Sequence, residues 1–124
     1  MNDPIVIVGA ARTPMGAFQG DFSGQAAHDL GAVAIAAAVA RAGIDGQLVE
    51  HVYFGNCLMA GQGQAPARQA LLKAGLPAST GAVTLSKMCG SAMQAAKCGV
   101  PTACRTITRA APPARAGRAP TMRL

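Results

Sequence analysis

The sequence has no tryptophan, one tyrosine and three phenylalanines in 124 residues. Any core must therefore be assembled from Ala, Val, Ile, Leu and Met. Charged residues are also scarce, at 13%, while apolar types reach 51%. That balance excludes an extended disordered chain, which combines few apolar residues with many charges. Long apolar runs are missing as well. The longest uncharged apolar stretch, Leu30 to Ala40, falls far short of the roughly 20 residues that cross a bilayer. The four cysteines, Cys57, Cys89, Cys98 and Cys104, include no C-x-x-C pair, and no histidine follows at zinc-finger spacing. The pattern thus indicates no metal. Met1-Asn2-Asp3-Pro4 lacks a basic n-region, and Gly9 interrupts the run from Ile5 to Ala11, so no signal peptide is read. With no secretory signal a disulfide framework is not expected. The expected compartment is the cytoplasm, with no membrane partner.

The formal net charge is +6, which for the chain as a whole would suggest a polyanion partner. The charge is not spread evenly. Residues 1–96 carry Arg12, Arg41, Arg68, Lys73 and Lys87 against Asp3, Asp21, Asp29, Asp45 and Glu50, and are neutral. Residues 97–124 carry Lys97, Arg105, Arg109, Arg115, Arg118 and Arg123 with no acid. Ala, Arg, Pro, Thr and Gly supply 21 residues of that segment. It has no helical or strand period, and Pro112-Pro113 and Pro120 oppose a helix. It reads as a disordered basic tail, residues 97–124, behind a fold-competent unit, residues 1–96.

Within that unit, Ile5-Val6-Ile7-Val8 predicts a strand buried on both faces. Residues 10–25 read as a loop. From about Ala26 to Ala42 the spacing of Leu30, Val33, Ala34 and Ala37 predicts a helix that stops at Gly43. Ile35 and Val39 make it apolar nearly all round, so it should want burial in something larger. Val49 to Phe54 predicts a second strand, and Pro66 opens a second helix that ends at Gly75. Ala82 to Ser86 predicts a third strand, and the small residues from Gly90 allow a sharp turn into a third helix. The order β-α-β-α-β-α predicts an α/β fold with a mainly parallel sheet.

Two glycine-rich loops, Gly9 to Gly16 and Gly61-Gln62-Gly63, lack the spacing of a P-loop or a dinucleotide fingerprint and read as turns. His28 opens a helix and His51 opens a strand, and both read as surface or capping residues. Cys89 has a distinct setting. It follows a strand and opens a helix, where the helix field and unpaired N–H groups favour the reactive thiolate. Gly90, Ser91 and Ala92 leave room for an acyl group. Physics alone leaves two readings open, a nucleophile and a buried inert cysteine. Cys57, Cys98 and Cys104 have no comparable setting and read as non-catalytic.

Leu85-Ser86-Lys87-Met88-Cys89-Gly90-Ser91-Ala92-Met93 resembles the active-site cysteine segment of thiolases. Ile5-Val-Ile-Val-Gly-Ala-Ala-Arg-Thr-Pro-Met-Gly-Ala-Phe18 resembles the thiolase N-terminus. Gly55-Asn-Cys-Leu-Met-Ala-Gly-Gln-Gly-Gln-Ala-Pro-Ala-Arg-Gln-Ala70 resembles the loop and helix that precede the cysteine. The order and spacing of the three agree along residues 3–96, and the nearest likeness is to short-chain acetyl-CoA acetyltransferases.

The resemblance implies an acyltransferase in which Cys89 takes an acyl group from acyl-CoA and its backbone N–H helps bind the oxyanion. It implies no metal or redox cofactor, since CoA thioesters are the substrates. Full-length members are expected to be homo-oligomeric. The family's activating His, its second acid/base Cys and an oxyanion-hole Asn lie in another part of the fold and have no counterpart in these residues. Cys98 and Cys104 do not carry over as that second Cys. The 124-residue chain alone is therefore expected to be inactive. The resemblance also implies an incomplete N-terminal half, with the first strand's edge left open. The composition change at Lys97 is read as an out-of-frame or truncated continuation. Two other roles are weighed: a non-catalytic fragment that docks on intact thiolase subunits, and polyanion binding by the tail. Against the latter, the tail has no aromatics for base stacking and no recognisable module.

Overall fold

The computed structural model describes residues 5–100. Helix α1 is Ala27–Ala42, strand β1 His51–Gly55, helix α2 Pro66–Lys73, strand β2 Gly81–Leu85 and helix α3 Ser91–Gly99. The two strands pair in parallel, with His51 opposite Gly81 and Gly55 opposite Leu85. Helix α2 makes the crossover between them, as a parallel connection requires. Helix α1 packs on α2, and α3 packs on β1.

Sequence signals account for the element ends. Gly43 takes the left-handed conformation (φ 65°) that ends α1. Pro66 occupies the first turn of α2, and the Ala67 N–H is satisfied by the Thr84 hydroxyl on β2 at 2.9 Å. Beyond α2, Gly75 is left-handed (φ 80°), its N–H reaches the Leu72 carbonyl, and Leu76 N–H reaches the Leu71 carbonyl. This is the Schellman pattern, and it folds Leu76 back onto Leu71. Those two leucines form the core with Val49 and Val52, and Ile35, Val39, Ile44 and Ala82 pack around them. Leu71 is fully buried, a gain of about 1.5–3 kcal/mol over leaving it in water. Between α1 and β1 a short 3-10 turn, Gly46–Leu48, is capped by the Asp45 carboxylate, which accepts from Gln47 N–H.

One predicted element is not formed. Ile5 to Val8 is not a strand, and Ile7 is 90% exposed. The sheet among the described residues holds only β1 and β2, which pair with each other. A β-branched run has no ladder without a neighbouring strand, so its propensity goes unused. The chain is instead tied down just after this run. Gly9 lies so close to α1 that a Cβ there would sit 2.6 Å from the Ala38 carbonyl, and the Arg41 guanidinium donates to the Ala10 carbonyl at 2.7 Å. The observed order among the described residues is thus α-β-α-β-α, still an α/β arrangement. Helix α1 does keep apolar surface in the open, with Val33 62% exposed.

Helix α3 continues through Lys97, Cys98 and Gly99, so helical structure crosses the composition boundary at Lys97. The tail reading for residues 101–124 lies outside the described residues.

Candidate active site

The C-terminal ends of β1 and β2 lie side by side, the edge at which parallel α/β sheets present their ligands. The chain leaves β2 at Leu85 and enters α3 at Ser91, and Cys89 sits in the intervening turn, exposed to solvent. Of the two readings of this cysteine, the one that required burial is corrected: the thiol is at the surface. Met88, just before it, is left-handed (φ 47°) although it is not glycine. Such a conformation costs a side-chain-bearing residue about 1–2 kcal/mol, and it persists only where its surroundings hold it.

The surroundings here are specific. The Ser91 hydroxyl, on a residue only 3% exposed, accepts from Lys87 N–H at 2.8 Å and donates to the Met88 carbonyl at 2.6 Å. Gly90 N–H returns to the Lys87 carbonyl, and Ser91 N–H to the Met88 carbonyl, each at 3.0 Å. From the other strand, Asn56 N–H donates to the Leu85 carbonyl, and the Ser86 hydroxyl donates to the Cys57 carbonyl at 3.2 Å. The Cys57 thiol lies 3.9 Å from the Met88 sulfur. Gly55 is pressed against the first turn of α3, where a Cβ would come within 2.5 Å of the Ser91 carbonyl group. The end of β1 is thus the seat of the cysteine turn.

Residues absent from the sequence-based site belong to this seat. Cys57 is exposed and touches the turn. Asn56 is 8% exposed, and its side-chain Nδ2 is buried without a hydrogen-bond partner among the described residues. In the sequence Ser91 stands out only as a small residue that permits the turn. The signal available for Asn56 and Cys57 was their place directly after a predicted strand. Cys98 is buried within α3, with Gln94 Nε2 3.7 Å from its sulfur, and Cys104 lies outside the described residues. The loop leading into α2 is also built rather than loose. Gln69 donates to the carbonyls of Gln62 and Gln64, and the Gln62 side chain accepts from Ala27 N–H at the start of α1.

The histidines lie elsewhere. His51 stacks on Tyr53 within β1. His28 Nδ1 is 2.9 Å from the Lys73 ammonium, which also bonds Asp29. Neither belongs to the Cys89 turn. A cavity of about 380 Å³ lies between the 13–25 loop and α1, lined in part by Pro14, Phe22, Leu30 and Val33. None of its lining residues comes from the Cys89 turn. Among the described residues no three His, Cys, Asp or Glu side chains gather as metal ligands, and no helix is long and apolar enough to cross a membrane.

The family model for the thiolase N-terminal domain matches residues 5–108. A mitochondrial acetyl-CoA acetyltransferase of Xenopus tropicalis is 58% identical over 90 residues, 73% of this chain and 21% of the relative. A cytosolic acetyl-CoA acetyltransferase of Gibberella zeae is 53% identical over 92 residues, 74% of this chain and 23% of the relative. The structure of an acetyl-CoA acetyltransferase from Syntrophomonas wolfei superposes with a TM-score of 0.72 at 38% identity, over 82% of this chain and 25% of that one. The chain spans about a fifth to a quarter of the length of the relatives it matches.

Proposed function

The chain belongs to the thiolase family, and from that premise we propose that it carries the acyl-accepting half-reaction of a thiolase-type acyltransferase, with Cys89 as the nucleophile. The observation that carries this reading is an exposed thiol on a braced, left-handed turn between β2 and α3. The Cys89 sulfur attacks the thioester carbonyl of an acyl-CoA. The carbonyl electrons move onto oxygen, and the oxyanion takes the Cys89 backbone N–H. Collapse expels CoA as its thiol, the proton coming from the cysteine, and leaves an acyl-cysteine. In the complete reaction a base removes an α-proton from a second acetyl-CoA. The carbanion attacks the acyl-cysteine, and a 3-ketoacyl-CoA leaves with the Cys89 thiol restored. The chemistry consumes CoA thioesters and calls on no resident metal or redox cofactor.

Condensation and thiolysis need further groups: an activating His, a second acid/base Cys and an oxyanion-hole Asn. One positioned acid or base typically supplies about 10²–10⁴-fold in rate. These groups have no counterpart in the 124 residues, so the chain by itself is expected to stop at slow acylation. Intact-mass spectrometry after incubation with acetyl-CoA should show one acetyl increment that disappears in Cys89→Ala. An increment that survives Cys89→Ala, or none at all, rejects Cys89 as nucleophile. Acetoacetyl-CoA thiolysis by the purified chain would overturn the inactive reading.

A second reading, docking on intact thiolase subunits, is favoured by the apolar side chains left in solvent, Ile7 at 90% and Phe18 at 95% exposure among them. Co-purification with an intact thiolase distinguishes it from a free monomer. The polyanion reading rests on a tail mostly outside the described residues. The cytoplasmic placement has a parallel in the cytosolic Gibberella relative, beside the mitochondrial form from Xenopus.

A further inference from the structure

The geometry points to Ser91 as the positioning residue of the nucleophile: its buried hydroxyl braces Met88 in the left-handed conformation that presents Cys89. This inference rests on Cys89 being the acyl acceptor. The hydroxyl is a bridge with one bond on each side of the strained residue. It accepts the Lys87 N–H before Met88 and donates to the Met88 carbonyl itself, at 2.8 and 2.6 Å. Both distances are those of well-formed bonds. Ser91 cannot drift, because its backbone is wedged against Gly55, where a Cβ would come within 2.5 Å of it, and it is 3% exposed.

The brace also decides what the turn offers a substrate. The Ser91 hydroxyl donates to the Met88 carbonyl oxygen, which also accepts from Ser91 N–H, so that acceptor is engaged within the turn. Removal of the hydroxyl leaves the Lys87 N–H without its partner and frees Met88 to relax toward negative φ. Cys89 would remain exposed, but its sulfur and its N–H would lose their fixed relation. Attack on a thioester needs both groups at once, the sulfur to bond carbon and the N–H to meet the oxyanion. Alkylation by a small neutral reagent needs the sulfur alone. Loss of the brace should therefore separate the two reactions.

The test uses the full 124-residue chain, Ser91→Ala and Ser91→Thr, the latter keeping the hydroxyl. Peptide mapping measures Cys89 acetylation by acetyl-CoA and Cys89 alkylation by iodoacetamide. Amide hydrogen exchange reports the Lys87 N–H. Ser91→Ala is expected to lower acetylation roughly ten- to a hundred-fold, the scale of a small misplacement of reacting groups. Alkylation should stay within about two-fold, and Lys87 protection should be lost. Ser91→Thr should recover part of the acetylation. Acetylation at the parent rate in Ser91→Ala, or a fall in acetylation and alkylation together, overturns the proposal. If the parent chain is not acetylated at all, the nucleophile reading fails and hydrogen exchange decides this one. Lys87 protection present in the parent and lost in Ser91→Ala supports the brace, and protection absent in the parent or unchanged in the variant overturns it.

Discussion

Ile5 to Val8 and Val52 to Phe54 are both short apolar runs, and the first is the more β-branched of the two. Yet Val52 is 2% exposed in a paired strand, while Ile7 is 90% exposed and pairs with nothing among the described residues. The difference lies outside both runs. Residues 51–55 have 81–85 to bond with, and Thr80 and Gly81 lock the entry through the carbonyls of Val49 and Glu50 at 2.9 and 2.8 Å. A strand is a property of a pair, and composition describes only one member. The same contrast bears on the Cys89 turn, whose hydrogen bonds come from Asn56, Cys57, Ser86 and Ser91, residues just beyond the paired strands, and none from residues 5–8.

The largest effect is expected where that pairing meets the site. A Cβ at Gly55 would come within 2.6 Å of Ser91 and Ala92 backbone atoms, not of a movable side chain. Gly55→Ala should cost about 1–3 kcal/mol, as over-packing does where neighbours cannot yield. It should also displace the start of α3 from β1. Chemical denaturation followed by circular dichroism reads the first consequence, and the Cys89 alkylation rate in the native state reads the second. A parent-like midpoint would mean that the end of β1 is not the rigid seat described above.

A moderate effect is expected at the clasp between α1 and α2. The Lys73 ammonium bonds Asp29 and lies beside His28, and its hydrogen bond holds the Asp29 carboxyl below the ordinary value of 3.8. The folded state then holds the carboxyl proton less tightly than the unfolded chain does. The stabilisation is complete above the unfolded value and is lost as pH falls through 3.8 and below. Exposed ion pairs contribute little and are screened by salt. The denaturation midpoints of the parent chain and Lys73→Ala should therefore differ most near neutral pH and draw together as pH falls below 3.8. A difference that stays unchanged over that fall would assign the effect of Lys73 to packing of its stem.

Much of the fold was legible in local signals. Gly43, Pro66 and Gly75 marked helix ends because each acts through its own backbone, the glycines by reaching positive φ and the proline by its fixed φ and missing N–H. Asp45-Gly46 carries a local cap signal for the turn at 46–48, which is too short to show a period. What escaped the sequence was tertiary. Cys89 stood out by its place between strand and helix, whereas the Ser91 hydroxyl bridge and the Cys57 contact exist only once β1 and β2 are side by side. The boundary at Lys97 was a boundary of composition. Helix α3 crosses it because Lys97 and Cys98 are compatible with a helix whatever follows them, and Cys98 is buried there.

The smallest effect is expected at Ile7, and it tests the opening contrast most directly. A both-face-buried strand would place this side chain in a core, where truncation of an isoleucine costs about 2–5 kcal/mol. In the structure its side chain is in water, and substitutions at such positions stay within about 0.5 kcal/mol. Ile7→Ser should accordingly leave the denaturation midpoint of the 124-residue chain where it is. The same substitution at Val52, with an identical introduced hydroxyl but a paired, buried host, supplies the reference for a position that matters. A midpoint for Ile7→Ser that falls as far as that of Val52→Ser would show residues 5–8 covered in solution, by a second copy of the chain or by a pairing absent from the described residues. Dilution separates those two cases, because cover by a second copy weakens as concentration falls and an intramolecular pairing does not.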